Sequence, residues 1–166
     1  VFAGEPGDGK STIIQNCAET AAMDGKKVRW YPLEMPHNEQ MLRLLASSAQ
    51  VDNGSLYSGV LTNGECQAIA SAVARLKRNA TVELVDVEDA SATDISADIE
   101  RSDRDVVVVD YLQLMEDTSA RKSDTREGVL ASISRRQKRL ARRTGKVILT
   151  ASQLNDAGRL RESRAI

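Results

Sequence analysis

Cysteine is scarce in this chain, and long apolar segments are absent. Cys17 and Cys66 are the only two cysteines among 166 residues, too few and too far apart for a disulfide framework or a zinc site. We therefore predict a reducing, intracellular compartment, with both thiols buried as small core residues. No apolar run approaches the ~20 residues that a membrane helix needs, and we expect no signal peptide ahead of the first motif. These scarcities argue against a disulfide-rich secreted domain and against membrane insertion.

Histidine and aromatic side chains are also rare. His37, the only histidine, follows Pro36 at a predicted helix start, and we assign it no role. The aromatic residues are predicted to lie in strands or beside them: Phe2, Trp30, Tyr31, Tyr57 and Tyr111. Few rings are therefore available to stack on bases, and any nucleic-acid contact is expected to be with the phosphate backbone.

Charge is distributed unevenly, although the formal net charge is only −1. Residues 1–118 carry 20 acidic and 10 basic side chains, whereas residues 119–166 carry 13 basic and 4 acidic ones. The basic part indicates a localised contact with a polyanion, or in its helical portion a solvated face.

The size and composition of the chain are those of one globular domain, residues 1–166, with 41% hydrophobic and 28% charged residues. The chain begins on an apolar run and ends without a helix cap, so we expect a piece of a longer protein.

Apolar runs alternate with amphipathic stretches, which is typical of a parallel sheet covered by helices. Strands are predicted at the start of the chain and over residues 28–33, 81–85, 105–110 and 146–151. Helices are predicted over residues 10–23, from Pro36 onward, and over 65–78, 92–101 and 125–143, with a loop-rich stretch around residues 53–64. The unbroken apolar strand 106–109 belongs in the middle of the sheet. The predicted fold class is α/β, with a mostly parallel central sheet and helices on both faces.

A glycine-rich segment between the first strand and the first helix matches the phosphate-loop (Walker A) pattern G-x-x-x-x-G-K-S/T: Gly4-Glu5-Pro6-Gly7-Asp8-Gly9-Lys10-Ser11. Its glycines let backbone N–H groups turn toward phosphates, and the next helix presents its positive end to them. Lys10 is expected to reach the β- and γ-phosphates of ATP and Ser11 to bind Mg²⁺, with Thr12 also in the nucleotide site. The alternative, a chance lysine in a glycine-rich turn, is disfavoured by the strand–turn–helix setting.

Three polar residues at predicted strand ends are candidates for the chemistry. Carboxyl ends of parallel strands form the ligand crevice, so Asp110 is expected to face Mg²⁺, a helix or turn cap being its alternative role. Glu34 follows strand 28–33, which lies next to the first strand in the simplest topology. It is either the base for the attacking water or a surface glutamate. Gln153, after the last strand, is placed to hydrogen-bond the γ-phosphate, although a glutamine in a turn is unremarkable.

Basic residues outside the phosphate loop occur in three places. A polar loop and an arginine-rich tail both suit salt-sensitive binding to a phosphate backbone, through Arg121, Lys122, Arg159, Arg161 and Arg164. The helix over residues 125–143 is basic as well. Ile133 and Leu140 give it an apolar stripe, so its charges are favoured as a solvated outer face over a subunit contact.

Several blocks of sequence resemble the C-terminal RecA-like motor domain of the DnaB-type replicative DNA helicases, in that family's order and over nearly the whole chain. Besides the phosphate loop they are Leu33-Glu34-Met35, Arg43-Leu44-Leu45-Ala46-Ser47, Leu61-Thr62, Val109-Asp110-Tyr111-Leu112-Gln113-Leu114-Met115, Ser152-Gln153-Leu154-Asn155 and Leu160-Arg161-Glu162-Ser163. Two features depart from the family. The loop after Asn155 is shorter than expected, and Arg164 replaces a small residue.

The resemblance implies a RecA-like P-loop NTPase fold in a hexameric 5′→3′ helicase that binds ATP between subunits. It makes Glu34 the catalytic base, Asp110 the magnesium aspartate and Gln153 the γ-phosphate sensor. It implies that the loops at 119–124 and 156–164 face a central channel and grip single-stranded DNA there. It also implies primase and a helicase loader as partners, in the cytoplasm of a bacterium or a phage-infected cell. The family's arginine finger lies downstream of residue 166, so this fragment is expected to hydrolyse ATP weakly.

Two other function classes are compatible with parts of this pattern. A RecA-like ATPase that is not a helicase, such as a recombinase or a phage or plasmid regulatory ATPase, would share the nucleotide site without unwinding DNA. A module that binds nucleotide without turnover is disfavoured by the intact set of Lys10, Ser11, Glu34 and Asp110.

Overall fold

The computed structural model describes residues 1–79, 82–86, 91–110 and 125–153. In chain order, the helices and strands of these residues are β1 Phe2–Gly4, α1 Lys10–Met23, β2 Val28–Pro32, α2 His37–Ala49, α3 Asn53–Ser58, α4 Asn63–Asn79, β3 Val82–Leu84, α5 Ala92–Arg101, β4 Val106–Asp110, α6 Arg126–Thr144 and β5 Val147–Gln153. The predicted α/β class is confirmed, and α1 and α5 have the predicted bounds. None of the helices in these ranges has the length and apolar character of a membrane span.

The strands form one parallel sheet in the order β1-β5-β4-β2-β3. β4 is fully buried between β5 and β2, which confirms the prediction that this valine-rich strand lies in the middle of the sheet. The expectation that β2 lies beside β1 is wrong, because β5 and β4 stand between them. The simplest topology pairs consecutive strands, whereas here the chain crosses over to the far side of β4 and later returns.

Helices cover both faces of the sheet. Successive residues of β4 point to opposite sides, and its valines therefore place apolar side chains on both faces. On one face, Val108 and Trp30 pack with Ile14 and Ala18 of α1. On the other face, β4 packs against apolar residues of α5 and α6, which are Ile95, Ile99, Ile133 and Leu140. The last two confirm the buried stripe predicted for the basic helix.

The stretch predicted to be loop-rich contains the short helix α3. Asn53-Gly54 is a turn signal in sequence, but the Asp52 side chain accepts a hydrogen bond from Ser55 N at 3.0 Å and so caps a helix at this point. Gly59 ends the helix with a φ of 72°, which suits glycine. Tyr57 therefore lies in a helix, and not in or beside a strand as predicted.

Both cysteines are exposed, so the prediction that they are core residues is wrong. The buried residues of α1 are Ile14, Gln15, Ala18 and Ala22, a stripe that leaves Cys17 on the solvent side. The stripe turns toward Gln15 because α2 covers that side, where Gln15 Nε2 donates to the Arg43 carbonyl at 3.2 Å. A buried glutamine cannot be foreseen from an apolar period alone.

The Tyr31 hydroxyl gives a test of the core between the sheet and α5. Tyr31 is 1% exposed and donates to Asp98 Oδ2 at 2.7 Å; burial, then this bond, raises the pKa of Tyr31 far above its usual value. Tyr31→Phe is expected to lower the free energy of unfolding by about 1.5–3 kcal/mol, the range for hydrogen bonds to charged groups. Urea denaturation measures this difference. Tyr57 is the control, because its side chain is exposed and its hydroxyl interacts with Glu39 only at the surface, and Tyr57→Phe should change stability by less than about 0.5 kcal/mol. If Tyr31→Phe and Tyr57→Phe changed the free energy of unfolding equally, the hydrogen bond from Tyr31 to Asp98 would add no stability of its own.

Candidate nucleotide-binding site

Glycines shape the loop that joins β1 to α1. Gly7 and Gly9 have φ angles of 88° and 78°, a region that residues with a side chain seldom occupy. Gly9 is also the N-cap of α1, and no side-chain oxygen caps the helix there. The first N–H groups of α1 are thereby suited to an anion, as the phosphate-loop pattern predicts.

Hydrogen bonds within the loop hold its shape. Asp8 accepts from Glu5 N at 2.7 Å, while the Asp8 N–H donates to the Glu5 carbonyl at 3.2 Å. Lys10 Nζ donates to the same carbonyl, which places its ammonium group over the loop. Gly4 leaves room for Asp8, since a Cβ atom at Gly4 would lie 2.9 Å from Asp8 Oδ2. The Lys10 ammonium is thus positioned by the loop itself.

Ser11 and Asp110 meet where α1 begins and β4 ends. Asp110 is only 3% exposed, and the Ser11 hydroxyl is close enough to act on the pKa of its carboxylate. Burial raises the pKa of Asp110, and the Ser11 hydroxyl and the Lys10 charge oppose that rise. The carboxylate oxygen Oδ1 is buried without a hydrogen-bond partner. An unpartnered buried carboxylate oxygen beside a hydroxyl is an arrangement that a cation would complete.

The Ser11 and Asp110 oxygen atoms fit a Mg²⁺ ion that is shared with a bound substrate better than a metal ion that is coordinated by protein side chains alone. Within the described ranges no group of three or more His, Cys, Asp or Glu side chains is placed to hold a metal ion. Mg²⁺ prefers oxygen ligands and is commonly held by one or two protein groups together with the phosphates of a substrate. Ser11 and Asp110 supply such a pair at the phosphate loop.

Glu34 lies at the same edge of the sheet. The last residue of β2, Pro32, pairs with Asp110, and the N–H groups of Leu33 and Glu34 both donate to the Asp110 carbonyl, at 2.8 and 3.2 Å. Glu34 is exposed, and its charge is close enough to contribute to the raised pKa of Asp110. Two strands separate β2 from β1, yet Glu34 reaches the site because all the strands end at one edge.

Gln153 completes this edge from β5. It is the last residue of that strand and pairs with Gly4, whereas the sequence predicted it beyond the strand. An open cavity of about 600 Å³ joins these groups, lined by Pro6, Gly7, Gly9, Lys10, Ser11, Thr12, Glu34, Asp110 and Gln153, among others. A cavity of about 670 Å³ between α1, α2, α4 and β3 contains none of them, so size alone does not identify the site.

The predicted DNA contacts lie outside the described residues: Arg121, Lys122, Arg159, Arg161 and Arg164. The residues predicted for the nucleotide, by contrast, all fall within them. The structure places Glu5 and Asp8 in the loop as well, where they bond to each other.

Comparison with known proteins decides the family. A family model described as the DnaB-like helicase C terminal domain matches residues 1–165. The chain belongs to this family. The resemblance of the sequence blocks is thereby confirmed.

Relatives of this DnaB-like domain are replicative helicases. Replicative DNA helicase DnaB of Haemophilus influenzae is 35% identical over 162 residues, which cover 93% of this chain and 34% of that protein. DnaB of Buchnera aphidicola subsp. Acyrthosiphon pisum is 32% identical over 161 residues, covering 93% and 35%. The chain thus spans about a third of the length of these curated relatives.

Solved structures share the fold of this DnaB-like domain. A DnaB-like replicative helicase, described with its interactions with primase, has a TM-score of 0.82 at 23% identity and covers 99% of this chain and 40% of that one. A solved ATPase domain has a TM-score of 0.84 at 21% identity, with coverage of 99% and 60%. This likeness confirms the RecA-like architecture.

Two charged residues of this DnaB-like domain line the cavity without having been predicted there. Glu39 and Arg43 lie one turn apart on α2, which begins directly after the segment that carries Glu34. The positive charge of Arg43 also opposes the rise in the pKa of Asp110 that burial causes. Their i, i+4 spacing on a helix that follows a strand end was the available signal.

Proposed function

We propose that this DnaB-like domain is the ATP-hydrolysing motor of a ring-forming replicative DNA helicase, which translocates on single-stranded DNA and unwinds duplex. The observation that carries the proposal is the meeting of Lys10, the Ser11–Asp110 pair and Glu34 at one cavity. A cationic phosphate loop, a divalent-cation site and a carboxylate that can position water are the recurring parts of NTP hydrolysis. The similarity to replicative helicases supports a DNA motor over a non-helicase ATPase.

Each side chain has one task in this proposal. Ser11 and Asp110 would hold Mg²⁺, which when bound would supply positive charge to the phosphate oxygens of ATP. Lys10 binds the β- and γ-phosphates from the loop. Glu34 orients the attacking water and accepts its proton. Gln153 contacts the γ-phosphate and, as the last residue of β5, transmits that contact to the chain that follows.

The DNA contacts are proposed from connectivity and charge. Residues 111–124 follow β4 directly, and residues 154–166 follow β5 directly. Both segments follow strands that end at the edge of the sheet that carries Asp110 and Gln153. Their cations, among them Arg121 and Arg159, are proposed to grip single-stranded DNA. For the full-length protein we extend the proposal to a hexamer with ATP between subunits, to primase and a loader as partners, and to the cytoplasm.

ATP turnover with and without single-stranded DNA tests the function. The chain at high concentration, with Mg²⁺, is expected to hydrolyse ATP slowly and to do so faster when a dT oligonucleotide is added. Lys10→Ala should remove turnover in both conditions, because it deletes the cation that binds the phosphates. Loss of turnover in Lys10→Ala would show that the measured hydrolysis takes place at this site and not in a contaminating ATPase.

The outcomes separate the rival functions. Turnover that depends on Lys10 but ignores DNA would contradict a DNA motor and favour a regulatory ATPase. Magnesium-dependent nucleotide binding that is lost in Lys10→Ala, without turnover in either condition, would restrict the chain to nucleotide binding.

A further inference from the structure

The second half of α6 presents only cations to solvent. From residue 132 to the end of the helix at Thr144, the exposed residues are Arg135, Lys138, Arg139, Arg142 and Arg143. Residues three, four and seven apart lie on one side of a helix, so the first four of these form a single stripe. We call Arg135, Lys138, Arg139 and Arg142 the α6 basic face.

Neighbouring cations of α6 are engaged in holding the helix to α5. Arg143 forms an ion pair with Glu100 at 2.7 Å, and Arg136 donates to Thr93 at 3.0 Å. Buried Ile133 and Leu140 anchor the opposite side of α6. By contrast, the four residues of the α6 basic face have no ion pair or hydrogen bond within the described part of the chain. Packing therefore does not account for them.

The chemistry of the α6 basic face fits a nucleic-acid backbone better than another protein surface. Interfaces between protein chains have a core of apolar and aromatic side chains that is depleted in charged residues. No apolar side chain is exposed on this half of α6. Nucleic-acid interfaces are strongly positive, and arginine suits phosphate because of its planar set of donors. Three of the four cations are arginine.

The spacing also suits phosphates. Arg135 and Arg142 are about 10 Å apart along the helix axis, at 1.5 Å per residue. A DNA duplex carries about six phosphate charges over that length, at one per 1.7 Å. With a net charge of only −1, the chain cannot attract DNA by its total charge, so attraction must be local.

We propose that the α6 basic face is a second nucleic-acid contact, which binds the phosphate backbone without reading bases. It consists of residues of α6, and not of the segments 111–124 and 154–166 proposed above to grip single-stranded DNA, and it rests on the proposed function only in that DNA is the polyanion the protein meets. Because the contact is electrostatic, it contributes in proportion to the number of phosphates neutralised and weakens with salt.

A matched pair of triple variants tests the proposal. The first carries Arg135→Gln, Lys138→Gln and Arg142→Gln; the second carries Lys26→Gln, Lys77→Gln and Arg78→Gln, three cations on α4 and after α1 without a side-chain partner in the described ranges. Both sets change the net charge equally. Glutamine preserves helix propensity, so α6 should remain folded. Binding of fluorescein-labelled dT oligonucleotides and duplex is measured by anisotropy across a salt series.

The first triple variant is expected to reduce the magnitude of the negative slope of log K against log salt by about 2 for single strands and about 3 for duplex, at about 0.7 and 0.9 per contact. The control triple should keep the wild-type slope. If the two triples behave alike, the α6 basic face does not bind DNA. A changed sedimentation coefficient with an unchanged slope would assign the face to a second copy and overturn the proposal. Absence of DNA binding by the wild-type chain would defeat this inference and the proposed function together, whereas binding with identical triples defeats this inference alone.

Discussion

Glu34→Gln is expected to lower ATP turnover by roughly a hundredfold to ten-thousandfold, the contribution that general base catalysis makes. Glutamine has nearly the same shape as glutamate but cannot accept the proton of the attacking water. Nucleotide affinity should remain close to that of the unmodified chain, because Lys10 and the Ser11–Asp110 pair are intact. Single-turnover hydrolysis and equilibrium binding of a fluorescent ATP analogue measure the two quantities separately.

Asp86→Asn is the matched control for Glu34→Gln. Asp86 is the second residue after β3, as Glu34 is the second after β2, and both strands end at the same edge. Asp86 is exposed and does not line the cavity. Its replacement should leave turnover unchanged. Turnover that survives Glu34→Gln, or falls equally in both variants, would return Glu34 to the role of a surface glutamate.

Features that depend on neighbouring residues were predictable from the sequence. The phosphate loop is contained in eight consecutive residues. α5 is bounded by a capping box, in which Ser91 and Asp94 bond each other's backbone N–H groups. The burial of β4 follows from its unbroken valines. In each of these cases the signal and the structure it specifies occupy the same short stretch of chain.

Features set by distant contacts were not predictable in the same way. The sheet order depends on which strands pair across crossovers, and no local pattern states that β5 and β4 lie between β1 and β2. The exposure of Cys17 depends on α2 covering the opposite side of α1. Arg43 lines the cavity because α2 starts at the edge where β2 ends, which requires the fold to be known. The candidate site could be predicted because its motifs are local, whereas the full lining of the cavity could not.

Asp110→Asn is expected to move stability and nucleotide binding in opposite directions. Without metal, the carboxylate is buried with Oδ1 unpartnered, and burial is the main cause of its raised pKa. A neutral amide of the same shape removes the buried charge, so the free energy of unfolding of the metal-free chain should rise, by about 1–3 kcal/mol. With Mg²⁺ present, loss of an anionic oxygen should weaken nucleotide binding at least about tenfold. In EDTA this loss should be absent, because without the cation the Asp110 carboxylate repels the phosphates.

Asp105→Asn separates a metal role for Asp110 from a structural one. Asp105 precedes the first residue of β4 and accepts a hydrogen bond from Lys27 N at 2.8 Å, far from the cavity at the other end of the strand. Its replacement should leave the Mg²⁺ dependence of nucleotide binding intact. Unfolding in denaturant and nucleotide titrations with and without Mg²⁺ would be compared for both variants. If Asp110→Asn instead destabilised the metal-free chain and kept the Mg²⁺ dependence, the carboxylate would be a strand-end cap. A site shaped for a cation predicts the reverse, because the charge that binds the ion is the charge that burial disfavours.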